Sequence, residues 1–283
     1  MKLGAYTPEI KRGSVEEVFA AIRDYGFEAV QFDYLSHGGV ELPERVDGAM
    51  TDRIRAAAEA AGIEIAAING TYNMASPDPA VREEGFRGFS EVARSAKALG
   101  CRLLTLCTGS RNPDSMWRWH DDNDSPEAWR DMVREVERAA ALAEELDLLL
   151  GIEIEASNVV HSPVRARQLF DDMASKSLKL IYDGANLFST GDVSEETVLA
   201  VMARTFDLFE EDIALVHGKD LARRPGVHFA VCGEGIVDFD YFLERCRKMG
   251  YTGPMIIHGV KEEDKFPRCA AYMKERIERA GLG

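Results

Sequence analysis

Residues 125–155 read SPEAWRDMVREVERAAALAEELDLLLGIEIE, one helix and then one strand. Ser125 is placed to cap the first turn. Pro126 suits the first helical position, where its missing N–H would find no partner anyway, and Glu127 supplies an early acid, so a helix is predicted to run to Leu146. From Leu148 to Glu155 the chain becomes a short, largely apolar run, which reads as a strand. The same alternation of short apolar run and longer amphipathic segment recurs eight times along the chain. Repeated βα units of this kind build a parallel sheet.

The other strand candidates are Lys2 to Tyr6, Ala29 to Asp33, Glu64 to Asn69, Arg102 to Cys107, Leu178 to Tyr182, Ile213 to His217 and Met255 to His258. Helix starts are marked by the capping box Ser14-Val15-Glu16-Glu17 and by Ser194-Glu195-Glu196, which opens a helix to Phe209. Gly26, Gly62, Gly100 and Gly250 end helices. Eight strands, eight intervening helices and no Pro/Ser/Gly-rich linker favour an α/β fold of the closed (β/α)₈ TIM barrel type over an open doubly wound sheet with edges. The longest non-periodic stretch, Gly109 to Asp124 (GSRNPDSMWRWHDDND), exceeds what a barrel βα loop needs and reads as a lid or substrate loop.

A length of 283 residues suits one such barrel, so residues 1–283 are expected to form a single domain. Apolar residues at 46% and charged residues at 29% are ordinary for a globular chain and exclude a disordered or fibrous one. A net charge of -15 disfavours nucleic acid and anionic membrane as partners, although a local basic pocket can still hold one phosphate. The five cysteines are odd in number and contain no C-x-x-C pair, so they suggest neither a disulfide framework nor a zinc knuckle. With neither a signal-peptide pattern nor a membrane-length apolar run, the expected location is the cytoplasm. A homodimer is the expected assembly.

In a parallel barrel the reactive groups project from the C-terminal ends of the strands. The ends of the fifth to eighth strand candidates carry Glu153 and Glu155, Asp183, His217 and His258. Two carboxylates and two imidazoles converging on one mouth suit a single divalent ion, Mn²⁺ first, with Mg²⁺, Co²⁺ or Zn²⁺ accommodated by the same donors. The bland alternative is that each residue is merely polar where its strand meets water. Four strands offering such a residue together weigh against it.

Five motifs then bear on family: GIEIEASN from Gly151, LKLIYDGANL from Leu178, LVHGKD from Leu215, CGEGIVDFDYF from Cys232 and GYTGPMIIHG from Gly250. Through them the chain resembles, over its whole length, the xylose-isomerase-like TIM barrels. That group of sugar phosphate isomerases and epimerases includes ketose 3-epimerases, inosose dehydratases and apurinic endonucleases. The resemblance implies that Glu153, Asp183 and His217 are metal ligands, and that the fourth ligand, normally a strand-eight Glu, is replaced here by His258. In the epimerases of that group the strand-five and strand-eight glutamates also exchange a proton on opposite faces of the sugar carbon, so the replacement puts that two-glutamate mechanism in question.

Residues two apart on a strand face the same way, so Glu153 and Glu155 can both point into the mouth. Position in the resemblance favours Glu153 as ligand and leaves Glu155 nearer the rim as a base, while the spacing Glu155-Ala156-Ser157-Asn158 is the case for exchanging them. Asn69, Cys107 and Asn186 stand where the multi-zinc endonucleases would have histidines, which together with the acidic charge argues against a nuclease.

The chemistry expected is proton removal next to a carbonyl polarised by the metal, on a small sugar or polyol. Glu153, Glu155 and His258 are the base candidates. Lys219 is placed to neutralise an oxygen or a phosphate, or else is an ordinary salt-bridge partner. Asn186, and Arg111, Trp117, Trp119 and His120 from the long loop, are candidates for holding a sugar ring, against a packing or dimer-contact role for that loop. His228 and Glu234, in the segment GVHFAVCGEG, form a second tier. His37 and His161 read as surface residues. An isomerase or epimerase is the preferred reading. A metal-dependent lyase is its rival, because elimination needs only one acid and one base, and a non-catalytic sugar-binding barrel comes third.

Overall fold

The expected helices begin on residues that close their first turns. The Ser14 hydroxyl accepts from the Glu17 N–H while the Glu17 carboxylate accepts from the N–H of Gly13, a reciprocal cap shifted back by one residue. Ser125 accepts from Ala128 with Pro126 in the first turn, and Ser194 accepts from Thr197. Gly62 ends its helix at φ 67°, a left-handed conformation that glycine enters without strain.

The computed structural model describes residues 1–188, 193–224 and 226–283. Eight parallel strands close on themselves: β1 (Leu3–Tyr6), β2 (Ala29–Phe32), β3 (Glu64–Asn69), β4 (Leu103–Cys107), β5 (Leu149–Glu153), β6 (Leu178–Asp183), β7 (Ile213–Gly218) and β8 (Met255–Ile257), with β1 paired to both β2 and β8. The helices that alternate with them are α1 (Val15–Asp24), α2 (Gly48–Ala61), α3 (Pro79–Ser95), α4 (Pro126–Glu145), α5 (Pro163–Met173), α6 (Glu195–Phe209), α7 (Phe239–Lys248) and α8 (Phe266–Arg279). The fold is a (β/α)₈ TIM barrel. Among the described residues no helix is long and apolar enough to cross a membrane.

The inside of the barrel is a plug of Ala67, Leu103, Ile181, Leu215 and Ile256, one side chain from each of five strands. Strand side chains alternate faces, so the residues two positions further along point inward as well, but at the mouth. Asn69, Asp183, His217 and His258 occupy those positions above Ala67, Ile181, Leu215 and Ile256. Glu153 stands in the same way above Gly151. A Cβ on Gly151 would meet Ile181 Cδ1 at 2.2 Å, so the bare glycine makes room for the plug.

Two sequence expectations shift. The fifth strand ends at Glu153 and not at Glu155, because its last register partner is Cys107 of β4; beyond it the Glu155 N–H turns to the Val160 carbonyl. A two-stranded antiparallel ribbon, Asp220–Leu221 with Phe229–Ala230, was not foreseen, since two-residue strands leave no period to read. Asp220 explains the motif spacing around it: its carboxylate accepts from the N–H groups of Leu221, Gly233, Gly235 and Val237 at 2.8 to 3.0 Å. Gly235 is required there, because a Cβ would sit 2.2 Å from both Asp220 Oδ1 and the Leu221 carbonyl oxygen.

Asp220→Ala leaves several of these N–H groups without a partner and is expected to cost about 1–3 kcal/mol. A lowered urea midpoint with unchanged slope is the expected result; an unchanged midpoint would mean that water replaces the carboxylate without loss.

Candidate functional site

At the mouth, ligand atoms of Glu153, Asp183, His217 and His258 all lie within 4.8 Å of one another. His217 Nδ1 is 3.4 Å from Asp183 Oδ2 and 3.5 Å from Glu153 Oε1, and His258 Nδ1 is 3.9 Å from Asp183 Oδ2. These separations let charges attract without forming aligned hydrogen bonds. Asp183 Oδ2, His217 Nδ1 and His258 Nδ1 are buried and have no hydrogen-bond partner. Buried polar atoms are rarely left so. Three of them facing one point, with two carboxylates in the set, fit a divalent cation.

The surroundings set the direction of each group. Asp183 Oδ1 accepts from the N–H groups of Ala185 and Asn186 at 2.8 and 3.1 Å, which turns Oδ2 toward the cluster. His217 Nε2 is 2.8 Å from Gln31 Oε1, Gln31 Nε2 donates to Thr105 Oγ1, Thr105 reaches Asn69 Oδ1, and Asn69 Nδ2 donates to Asp33 Oδ2. Because Asp33 can only accept, this chain has one polarity: the proton of the neutral His217 ring sits on Nε2 and Nδ1 keeps its lone pair. Tyr6 also donates to Asp33, at 2.7 Å. The Glu9 carboxylate accepts from Gly259 and Val260 and lies 3.7 Å from His258 Nε2, fixing the loop that follows β8.

Burial works to raise the Glu153 and Asp183 carboxyls, but neighbouring charge outweighs it. The His217 ring holds Glu153 below its ordinary value, while Lys219 and the two imidazoles hold Asp183 well below. For His217, burial works against the charged ring, yet the carboxylates of Glu153 and Asp183 push it up to about 9. The Glu155 carboxyl is raised by burial, which Lys219 only partly opposes.

Glu153 and His258 of the cluster line a cavity of about 230 Å³, whose lining also includes Tyr6, Glu41, Trp117, Glu155, Asn186 and Lys219. Asn186 donates to Glu153 Oε1 and accepts from the Lys219 ammonium. Glu153 is therefore in the metal-capable set, and Glu155 lines the cavity outside it, taking bonds from the Ser157 N–H and hydroxyl. The remaining candidates lie elsewhere. Arg111 is buried against Asp131 at 2.7 Å, because α4 brings that carboxylate under the loop. His120 accepts from Asp122 N–H outside the cavity lining, Glu234 pairs with Arg268 at 2.6 Å, and His228 is exposed near the ribbon. His161 is half-buried beside Asp124.

Sequence reasoning missed Gln31, Asp33, Tyr6, Glu9 and Glu41. Tyr6 and Asp33 ended strand candidates and were available to the same end-of-strand reading. Gln31 lies two residues before Asp33, on the same inward parity. Glu9 ends a single 3-10 turn, Thr7–Glu9, after β1, and Glu41 lies in the loop after β2; neither segment is long enough for a period to mark orientation.

The chain is 25% identical over 218 residues to L-ribulose-5-phosphate 3-epimerase UlaE of Escherichia coli O157:H7, covering 75% of this chain and 70% of that one. Its fold is similar to that of a D-tagatose 3-epimerase-like protein, with a TM-score of 0.78 and 16% identity over 99% of this chain and 98% of the other. It is also similar to that of the probable 3-DHS dehydratase AsbF from Bacillus anthracis, with a TM-score of 0.75 and 13% identity over 97% and 99%. At such identities the structural likeness concerns the fold alone. The sequence profile described as Xylose isomerase-like TIM barrel matches residues 19–277, and the chain belongs to that family.

Proposed function

We propose that this chain is a divalent-metal-dependent isomerase or epimerase that moves a proton next to the carbonyl of a ketose or keto-polyol. The observation that carries the reading is the set of three unpartnered buried atoms, Asp183 Oδ2, His217 Nδ1 and His258 Nδ1, in a cluster whose Glu153 and His258 line a cavity that also holds the Glu155 carboxylate and the Lys219 ammonium. The sequence relation to a sugar phosphate 3-epimerase supports the same class. We take residues 1–283 as one domain, working in the cytoplasm on a small molecule and not on nucleic acid or membrane, with a homodimer as the expected assembly.

Glu153, Asp183, His217 and His258 would hold the ion, Mn²⁺ in first place and Mg²⁺, Co²⁺ or Zn²⁺ by the same donors. When bound, it supplies Lewis acidity toward a carbonyl and its neighbouring hydroxyl. The chain's own residues do the rest. Glu155, outside the ligand set and raised by burial, takes the proton from the carbon next to the carbonyl. Lys219, steadied by Asn186, offsets negative charge that develops on oxygen. Inversion requires a proton from the other face. Glu153 and His258 remain in the proposed proton-transfer set, though a ligating carboxylate is the weaker base. Glu41 is a further cavity carboxylate, on the loop after β2, three strands round the barrel from β5. Elimination of a leaving group from the next carbon is the second reading, favoured by the imidazole of His258 where β8 would carry a carboxylate.

Glu155→Gln is expected to lower solvent deuterium exchange into a panel of pentuloses and hexuloses by about 10²–10⁴-fold while keeping its metal, whereas Asp183→Asn should lose the metal itself. Exchange by NMR and metal content by elemental analysis read the two separately, and wild-type levels of both in both variants would refute the assignment. Exchange with the sugar conserved as ketose marks an epimerase, exchange with an aldose appearing marks an isomerase, and an accumulating unsaturated carbonyl marks the lyase.

Metal loading should also depend on pH with a fixed sign. The metal-free His217 ring keeps its proton up to about 9, and an imidazolium cannot ligate, so loading must expel that proton. Between pH 6.5 and that value apparent affinity should rise about tenfold per pH unit. Calorimetry in buffers of different ionisation enthalpy measures the released proton, and pH-independent loading would contradict this account of His217.

A further inference from the structure

Beside the inner cavity the barrel mouth holds a second recess of about 670 Å³. Its walls are the long loop after β4 with Trp117 and Trp119, the segment after β5 with Ser157 and His161, and the loop after β6 with Phe188. Trp117 and Glu155 line both spaces, so the recess continues the inner cavity. By itself the inner cavity is smaller than the roughly 300–1,000 Å³ of small-molecule sites, and the outer recess falls within that range.

The indoles are exposed, Trp117 at 53% and Trp119 at 38%, yet the backbone on either side of Trp117 and the ring of Trp119 are held in place. Asn158 donates to the Met116 carbonyl at 2.8 Å and Ser110 donates to the Arg118 carbonyl at 2.6 Å, bracketing Trp117 from both sides. Trp119 Nε1 donates to Asp121, and its ring meets the His161 imidazole edge-on at 5.4 Å between centroids. An exposed indole held before any ligand arrives, as that of Trp119 is, lowers the ordering cost of stacking a ring on it. Ser157 and Glu155 next to them offer partners for hydroxyl groups.

Charge narrows the ligand further. Among the described residues lining either space, Lys219 is the one Lys or Arg. Its ammonium is already bonded to Asn186 and sits 3.7 Å from the centroid of the Phe229 ring. Glu41, Glu153 and Glu155 face the same volume, and His161 is 3.2 Å from Asp124. With a divalent cation balancing Glu153 and Asp183, a phosphate dianion there would still meet the carboxylates of Glu41 and Glu155 against one engaged ammonium, an arrangement that disfavours it relative to a neutral ring.

We infer that the substrate is an uncharged sugar of two rings, a disaccharide or a glycoside, with its reacting ring in the inner cavity and its second ring stacked on Trp117 and Trp119. This rests on reading the inner cavity as a carbohydrate site, and it departs from the phosphorylated pentulose in the name of the E. coli relative. The outer recess is then a second-ring subsite.

Calorimetric titration of the metal-loaded protein with cellobiose, maltose, D-glucose and D-glucose 6-phosphate tests it without turnover. At least one disaccharide should bind about tenfold or more tightly than glucose, or about 1.4 kcal/mol. That ratio should fall to about one in Trp119→Ala and recover in part in Trp119→Phe, and the phosphate ester should bind no more tightly than glucose. Disaccharides no tighter than glucose, a ratio unmoved by Trp119→Ala, or a tenfold gain from the phosphate would each overturn the inference. A chain that binds a disaccharide in this way but exchanges no deuterium into any ketose of one ring or two, keto-disaccharides included, would refute the isomerase reading and leave the subsite standing. Equal affinities with exchange intact would do the reverse.

Discussion

Asp183 Oδ2 is a carboxylate oxygen removed from water and left without a donor, 3.4 Å from an imidazole nitrogen in the same condition. A buried ion that is not compensated costs on the order of several kcal/mol, and the other features of the mouth answer to that cost. The carboxylates of Glu153 and Asp183 raise the affinity of His217 for its proton, and the ring in turn holds both of them ionised. A proton on His217 balances one negative charge. A divalent cation at the same point would balance both and would engage the atoms that a proton leaves unbonded.

The scaffold makes this arrangement rigid. Eight strands of fixed alternation put an apolar plug below and polar ends above, so the parity that buries Ile181, Leu215 and Ile256 also aims Asp183, His217 and His258 at one another. The chain of bonds from His217 through Gln31, Thr105 and Asn69 to Asp33 crosses to the far side of the barrel and decides which imidazole nitrogen faces the cluster. Asp220, one residue beyond Lys219, ties the ribbon loop to the end of β7. Each is a positioning group, and none needs to touch a substrate.

The barrel was legible because its signals are local and repeated: caps such as Ser14 and Ser125, glycines such as Gly62, and apolar runs of strand length. The cluster was legible for the related reason that four strand ends carry ligand-type side chains, and in a parallel barrel all strand ends meet. What escaped depends on distant parts of the chain. Gln31 matters because it meets His217 across 186 positions of sequence. Arg111 was expected to bind sugar, but α4 presents Asp131 to it, and the loop sequence carries no trace of that carboxylate. Glu153 and Glu155 have the same parity and differ only in where β4 stops offering β5 a partner, a fact of register.

The central claim is that the inward ends of β5 to β8 form a single cation site whose ligands include the atoms left without hydrogen bonds. Anomalous diffraction at the manganese edge, from crystals grown with Mn²⁺, tests it most directly. The account predicts one peak at the barrel mouth, in contact with Asp183 Oδ2, His217 Nδ1 and His258 Nδ1. A map with no peak among those atoms, or with its strongest peak elsewhere on the protein, would contradict it.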